Sequence, residues 1–178
     1  GLLNALGDDY ITSADDWVPV PGALEAIARL NHAGWHVVVA TNQPGLGRGL
    51  LDVVALNAIH TKMNKAMSAV GARVEAVFFC PHVPDDACTC RKPAPGLYQQ
   101  VAERYGVSLK GVPAAGDSVW DAQAAYAAGC APHLLLTGNS EICRNGPLPP
   151  DLPPGTCVHT DLQAFADAIL NEKTCCLV

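Results

Sequence analysis

Short runs of apolar, β-branched residues alternate along the chain with longer stretches whose apolar positions recur at helical spacing. Residues 36–41 (His36, Val37, Val38, Val39, Ala40, Thr41) form a continuous run, the pattern of a strand buried on both faces. Ahead of it, residues 22–32 carry Leu24, Ile27, Ala28 and Leu30 on one helical face, and Gly34 lies just past the end. Behind it, a Gly-rich loop over 44–49 leads to a long helix over 52–70 that Asp52 is placed to cap.

The alternation continues to the last residues. Residues 74–80 predict a strand centred on Val77, Phe78 and Phe79, and 95–105 a helix. A short strand over 112–116 runs into a turn, and the helix over 120–128 stops at Gly129. A further strand is expected over 132–137, an edge strand over 156–159 and a closing helix over 161–170. Between them, residues 138–154 are rich in Gly, Pro and Asn and predict a mobile surface loop. Strands alternating with helices of this length imply an α/β fold built on a doubly wound, Rossmann-like parallel sheet. With no internal repeat and no linker, residues 1–178 are expected to form one domain.

Composition narrows the functional classes. The 178 residues are 49% hydrophobic and only 16% charged, which excludes a disordered chain. A net charge of −6 and the lack of any basic run argue against a nucleic-acid partner. No apolar stretch approaches the roughly 18–20 residues that span a bilayer, so no membrane partner is expected either. A soluble, mildly acidic, Ala-rich globular protein is the expectation that remains. Eight cysteines stand out in such a chain. Cys80, Cys88 and Cys90 crowd together while Cys130, Cys143, Cys157, Cys175 and Cys176 scatter, a spacing that favours a metal over a disulfide framework.

The crowded cysteines share their loop with His82. Four soft or borderline ligands within eleven residues after a strand suit a closed, tetrahedral Zn²⁺ site of structural type. Arg91 and Lys92 follow the last ligand directly, so the metal would hold two cations rigidly near the carboxyl ends of the strands, where α/β sheets bind ligands. Thr41, Asn42 and Gln43 end another strand ahead of Pro44, Gly45, Leu46, Gly47, Arg48 and Gly49, a hydroxyl and a flexible backbone fit to hold a phosphoryl oxygen. Gly116 and Asp117 end a third, with Asp121 one turn into the next helix. Asp117 suits a hard cation, Mg²⁺ above all, and Asp121 stands either behind it or as a first-turn helix carboxylate.

Together these residues resemble the haloacid-dehalogenase-like phosphatases over nearly the whole chain. Within that family the chain is similar to the branch of D-glycero-D-manno-heptose-1,7-bisphosphate 7-phosphatases, with the histidinol-phosphatase domains as close kin. Both branches share the zinc loop followed by Arg-Lys-Pro. The continuation Pro93, Ala94, Pro95, Gly96, Leu97, Tyr98 is similar to the heptose branch, as are Thr41, Asn42 and Gln43 with their Gly-Leu-Gly-Arg-Gly tail. Pro44 stands where that branch more often has Ser.

The resemblance implies a phosphorylated-sugar substrate, a place in the supply of nucleotide-activated heptose for lipopolysaccharide, Mg²⁺ as cofactor and an aspartyl-phosphate mechanism. It gives Thr41 the role of stabilising the phosphoryl group, Lys92 that of neutralising its charge and Asp117 that of the Mg²⁺ ligand. Asp8, Asp9, Tyr10, Asn42, Gln43, Arg48 and Arg91 fall to substrate recognition.

The family's nucleophile motif, a strand ending Asp-x-Asp-Gly, is not found in the 178 residues. Gly1, Leu2, Leu3 and Asn4 match the family's residues directly after the second Asp. The expectation is therefore that the nucleophile, the acid/base Asp and the central strand bearing them precede Gly1, and that the 178-residue chain is inactive. Two alternatives stay open: a histidinol-phosphate phosphatase, and an inactive zinc-containing module that holds a phosphorylated ligand. Cys175 and Cys176 in the last four residues are expected to lie in a frayed tail rather than a lipid-anchor box.

Overall fold

Apolar stripes on two helices begin the fold. In the computed structural model, which describes residues 1–5 and 10–171, α1 (Ala23–His32) buries Leu24, Ile27 and Leu30. After it, β1 (Val38–Asn42) runs into a one-turn helix, α2 (Pro44–Gly47), and α3 (Val53–Ala69) comes next. Asp52 caps α3 by accepting from the Ala55 amide at 2.8 Å, as the sequence predicts. The helix buries Leu56, Ile59, Met63 and Met67, a spacing of three or four that lines one face, and α3 packs against α1. β2 (Ala76–Cys80) pairs in parallel with β1 from Val38 opposite Ala76 to Asn42 opposite Cys80. These elements form the first of two compact units, Leu3–Cys88.

The second unit begins at Thr89. Its elements are α4 (Gly96–Tyr105), β3 (Pro113–Gly116), α5 (Val119–Ala127), β4 (Ala131–Leu135), a 3₁₀ helix (Gly138–Arg144), β5 (Cys157–His159) and α6 (Leu162–Leu170). The strands make a parallel sheet in the order β3-β4-β5, with β5 at its edge as expected. β4 lies in the middle, and Pro132 to Leu135 are buried. α5 packs on β3 and β4 through Ala122, Ala124 and Ala125, which are at most 1% exposed. Small side chains let helix and sheet approach closely, which is how a chain with so few aromatic residues fills its interior.

The alternating elements and parallel strands make this an α/β fold, and two local expectations are corrected. The strand predicted to be buried on both faces is half-buried along all of β1, because among the described residues β2 alone pairs with it. The loop predicted to be mobile over 138–154 begins with the 3₁₀ helix, which side-chain bonds tie to the strand ends. No described helix is long and apolar enough to cross a membrane.

Candidate active site and metal loop

Cys80, the last residue of β2, is completely buried and opens the loop of candidate metal ligands. Its Sγ lies 3.4 Å from His82 Nδ1 and 3.8 Å from Cys88 Sγ. With Cys90 Sγ, the four ligand atoms all lie within 4.8 Å of one another. A regular tetrahedron with Zn–S bonds of about 2.3 Å has edges of about 3.8 Å, so this donor set fits a zinc ion in both chemistry and spacing. Asp86 shapes the turn between the ligands, its carboxylate accepting from the Val83 amide at 2.9 Å and its carbonyl from the Cys88 amide at 2.9 Å. Beyond the loop, Gly96 donates to the Thr89 carbonyl at 3.1 Å. A Cβ at this glycine would sit 2.3 Å from that oxygen and 2.8 Å from Cys90 Cα, so α4 starts against the loop backbone because its first residue has no side chain.

The turn after β1 is tied to the same loop. The Gln43 amide donates to the Cys80 carbonyl at 2.7 Å and the Gly47 amide to the Pro81 carbonyl at 3.0 Å. At Gly47 a Cβ would come within 2.6 Å of that carbonyl oxygen. Pro44 sets the first residue of α2, so part of the predicted Gly-rich loop is a helical turn. Thr41 donates its hydroxyl to Gln43 Oε1 at 3.0 Å, and the Arg48 guanidinium lies 5.4 Å from the centre of the Tyr10 ring. Thr41, Asn42, Gln43, Arg48 and Tyr10 thus all belong to the first unit. Asp8 and Asp9 lie outside the described residues.

In the second unit, Arg91 and Lys92 come directly after the metal loop. Lys92 Nζ pairs with Asp121 Oδ1 at 2.5 Å, the two side chains only 12% and 10% exposed. Asp121 also closes a capping box at the start of α5, its Oδ2 accepting from the Ser118 amide at 3.1 Å and hydroxyl at 2.7 Å. The carboxylate fits there because residue 116 is glycine: a Cβ would meet Asp121 Cβ at 2.0 Å. Asp117, at the tip of β3, is held from the other side. Asn139 donates its amide at 3.0 Å and its Nδ2 at 2.9 Å to Asp117 Oδ2, and the Ser140 hydroxyl donates to the Asp117 carbonyl at 2.7 Å.

Asn139 and Ser140 belong to no motif that marks them in the sequence. The available signal is their place just after β4, at the carboxyl end of a strand in an α/β sheet, obscured by the loop-like composition around them. Near Asp121, burial and then the aspartate and Cys130 push the Tyr98 phenol well above its usual range, so it remains a neutral donor. Burial likewise pushes the Cys130 thiol up to about 11. Cys130 and Cys157 are buried in the core, and Cys175 and Cys176 lie outside the described residues.

Residues 5–129, which run through both units, match the haloacid dehalogenase-like hydrolase family, and the chain belongs to it. By that membership it is a hydrolase, and the named phosphatases that it matches along nearly its whole length place it among the family's phosphatases. It is 53% identical to the D-glycero-beta-D-manno-heptose-1,7-bisphosphate 7-phosphatase of Bordetella bronchiseptica over 97% of this chain and 94% of that one. The Pseudomonas aeruginosa protein of the same name is 45% identical, over 96% of this chain and 94% of its own length. Among solved structures, the D,D-heptose 1,7-bisphosphate phosphatase of B. bronchiseptica complexed with magnesium and phosphate superposes with a TM-score of 0.90 at 52% identity, covering 97% and 94% of the two chains. The Burkholderia thailandensis enzyme of that name gives 0.70 at 46% identity, over 95% and 92%.

Proposed function

We propose that this protein removes the 7-phosphate from D-glycero-D-manno-heptose 1,7-bisphosphate, with Mg²⁺ as the activating cation and a structural Zn²⁺ in the loop Cys80, His82, Cys88, Cys90. The observation that carries the phosphate chemistry is the start of α5. One turn sets Asp117 at the strand tip and Asp121 against the Lys92 ammonium. A cation ligand and a fixed positive charge at a strand end are what a transferring phosphoryl group needs. The named relatives, similar over nearly the whole chain, support the sugar substrate.

Asp117 offers the cation a hard oxygen ligand, and Asp121 stands behind it as the partner of Lys92. When bound, Mg²⁺ neutralises charge on the phosphoryl oxygens. Lys92 adds a compact positive charge that cannot swing away while Asp121 holds it, and the Thr41 hydroxyl donates to a phosphoryl oxygen. Arg91 and Arg48 recognise the remaining anionic part of the substrate as forks, while Asn42, Gln43, Tyr10, Asp8 and Asp9 contact the sugar. Aspartyl-phosphate chemistry also calls for two carboxylates two residues apart at a strand end, and the 178 residues hold no Asp-x-Asp. In this reading the zinc orders a loop with little apolar surface of its own and so keeps Arg91 and Lys92 in place. The protein acts as a monomer in the cytoplasm, in the supply of activated heptose.

The test is a comparison of kcat/KM of the full-length protein on heptose bisphosphate and on histidinol phosphate. We expect a preference of at least about 100-fold for the heptose, a modest demand beside the roughly 10⁴–10⁵-fold by which a site built to hydrogen-bond a substrate hydroxyl rejects an analogue lacking it. A preference for histidinol phosphate overturns the substrate assignment.

A further inference from the structure

We propose that Asn139 is a positioning residue for Asp117, holding its carboxylate in the orientation that receives the cation; this rests on the assignment of Asp117 as the Mg²⁺ ligand. Asn139 uses two donors on one acceptor, its backbone amide at 3.0 Å and its side-chain Nδ2 at 2.9 Å, both on Asp117 Oδ2. Two bonds converging on one oxygen fix the rotation of the carboxylate about its Cβ–Cγ bond and so determine where Oδ1 points. Hydrogen bonds of this kind behind a ligating carboxylate tune the affinity of a metal site.

The clamp is effective because its base is rigid. Ser140 is buried and donates to the Asp117 carbonyl at 2.7 Å, which locks the beginning of the 3₁₀ helix to the end of β3. At the other end of that helix, Arg144 donates from Nε to the Leu136 carbonyl at 2.7 Å and from Nη2 to the Thr160 carbonyl at 3.0 Å. One guanidinium therefore pins the helix to the chain just after β4 and just after β5. Asn139 lies between these two anchors and approaches Asp117 from a preset position, with little loop entropy left to lose on cation binding.

The experiment measures binding of Mn²⁺, as a spectroscopic stand-in for Mg²⁺, to the full-length protein by electron paramagnetic resonance. N139A, N139Q and D117A are compared with the unaltered protein, and zinc content and thermal midpoint are recorded for each. N139A is expected to weaken Mn²⁺ binding about tenfold, at the lower end of what outer-shell partners contribute. N139Q, which keeps an amide donor, is expected to lie between N139A and the unaltered protein, with zinc content unchanged in both. In turnover, raising Mg²⁺ should restore the kcat of N139A, a recovery that a damaged fold does not give. Unchanged Mn²⁺ affinity in N139A, with affinity lost in D117A, overturns the positioning role alone. Unchanged affinity in D117A overturns the cation-ligand assignment and the positioning role with it.

Discussion

Lys92 and Asp121 meet in an ion pair of 2.5 Å, both side chains nearly out of reach of solvent. They come from different elements, Lys92 from the segment after the metal loop and Asp121 from the first turn of α5. Taking two charges out of water is costly, and their attraction offsets that cost only while both are present. The pair is therefore a point of mutual dependence between the placement of the ammonium and the start of the helix.

Asp121→Ala takes one carboxylate away from a buried ammonium and removes half of the capping box. Loss of one member of such a pair costs about 3–5 kcal/mol, and the cap adds about 1 kcal/mol. A lower midpoint in urea unfolding is the expected result. Adding Lys92→Met should recover a good part of the loss because no uncompensated charge is left. A double variant no more stable than Asp121→Ala would show that the pair is not the source.

Gly96→Ala tests how the metal loop is supported. The added Cβ would meet the Thr89 carbonyl at 2.3 Å, a backbone atom that cannot rotate away. Overpacking of this kind costs about 1–3 kcal/mol and here must move Cys90 as well. Elemental analysis should find one zinc per chain in the unaltered protein and clearly less in the variant, with a lower thermal midpoint. Full zinc occupancy in Gly96→Ala would mean that the loop does not need this contact.

A buried histidine pair makes the second unit sensitive to acid. His133 Nδ1 and His159 Nε2 lie 2.9 Å apart, and both rings meet Phe165 edge-on. Burial, and then the neighbouring His159, push His133 down to about 4 from its usual 6.5. His159 is pushed down by burial too, against a smaller opposing effect of Asp161. Between those values the unfolded chain binds a proton that folded His133 refuses. Stability therefore rises with pH across the window, is complete above about 6.5 and is lost as pH falls toward 4. The loss is on the order of 3 kcal/mol. Urea unfolding at pH 7.5 and 4.5 should show a smaller pH effect in a His133→Leu/His159→Leu double variant. An equal effect in both proteins would place the acid sensitivity elsewhere.

Without an Asp-x-Asp pair, the 178 residues themselves should not turn over phosphate monoesters. Assayed with p-nitrophenyl phosphate and excess Mg²⁺, they are expected to stay at the background rate. Turnover above background that Thr41→Ala or Lys92→Ala abolishes would mean that the nucleophile lies within them.

Features set by neighbours along the chain were open to reading from the sequence. Asp52 accepts from an amide three residues on, so its position before an apolar period identifies it as a cap. Cys80, His82, Cys88 and Cys90 fall within a loop short enough to close on one ion, whatever surrounds it. Apolar periodicity placed β1, β2, α3 and α6 to within about two residues, because it records which face of an element is buried.

Folding alone decided the rest. Lys92 finds Asp121, Asn139 finds Asp117 and His133 finds His159 across long stretches of chain, and no spacing encodes those meetings. They depend on which strand lies beside which and on how closely helices approach the sheet and the Cys90 loop, here set by the missing side chains of Gly116 and Gly96 and the alanines of α5. At residues 138–144, Gly and Asn predict an irregular loop where the structure has a 3₁₀ helix. Bonds from Ser140 and Arg144 tie that helix to carbonyls just past the strand ends. Local chemistry thus marked the four clustered Cys and His side chains and the candidate residues at the strand ends, while the contacts that Lys92 makes with Asp121 and Asp117 with Asn139 exist only once the chain has packed.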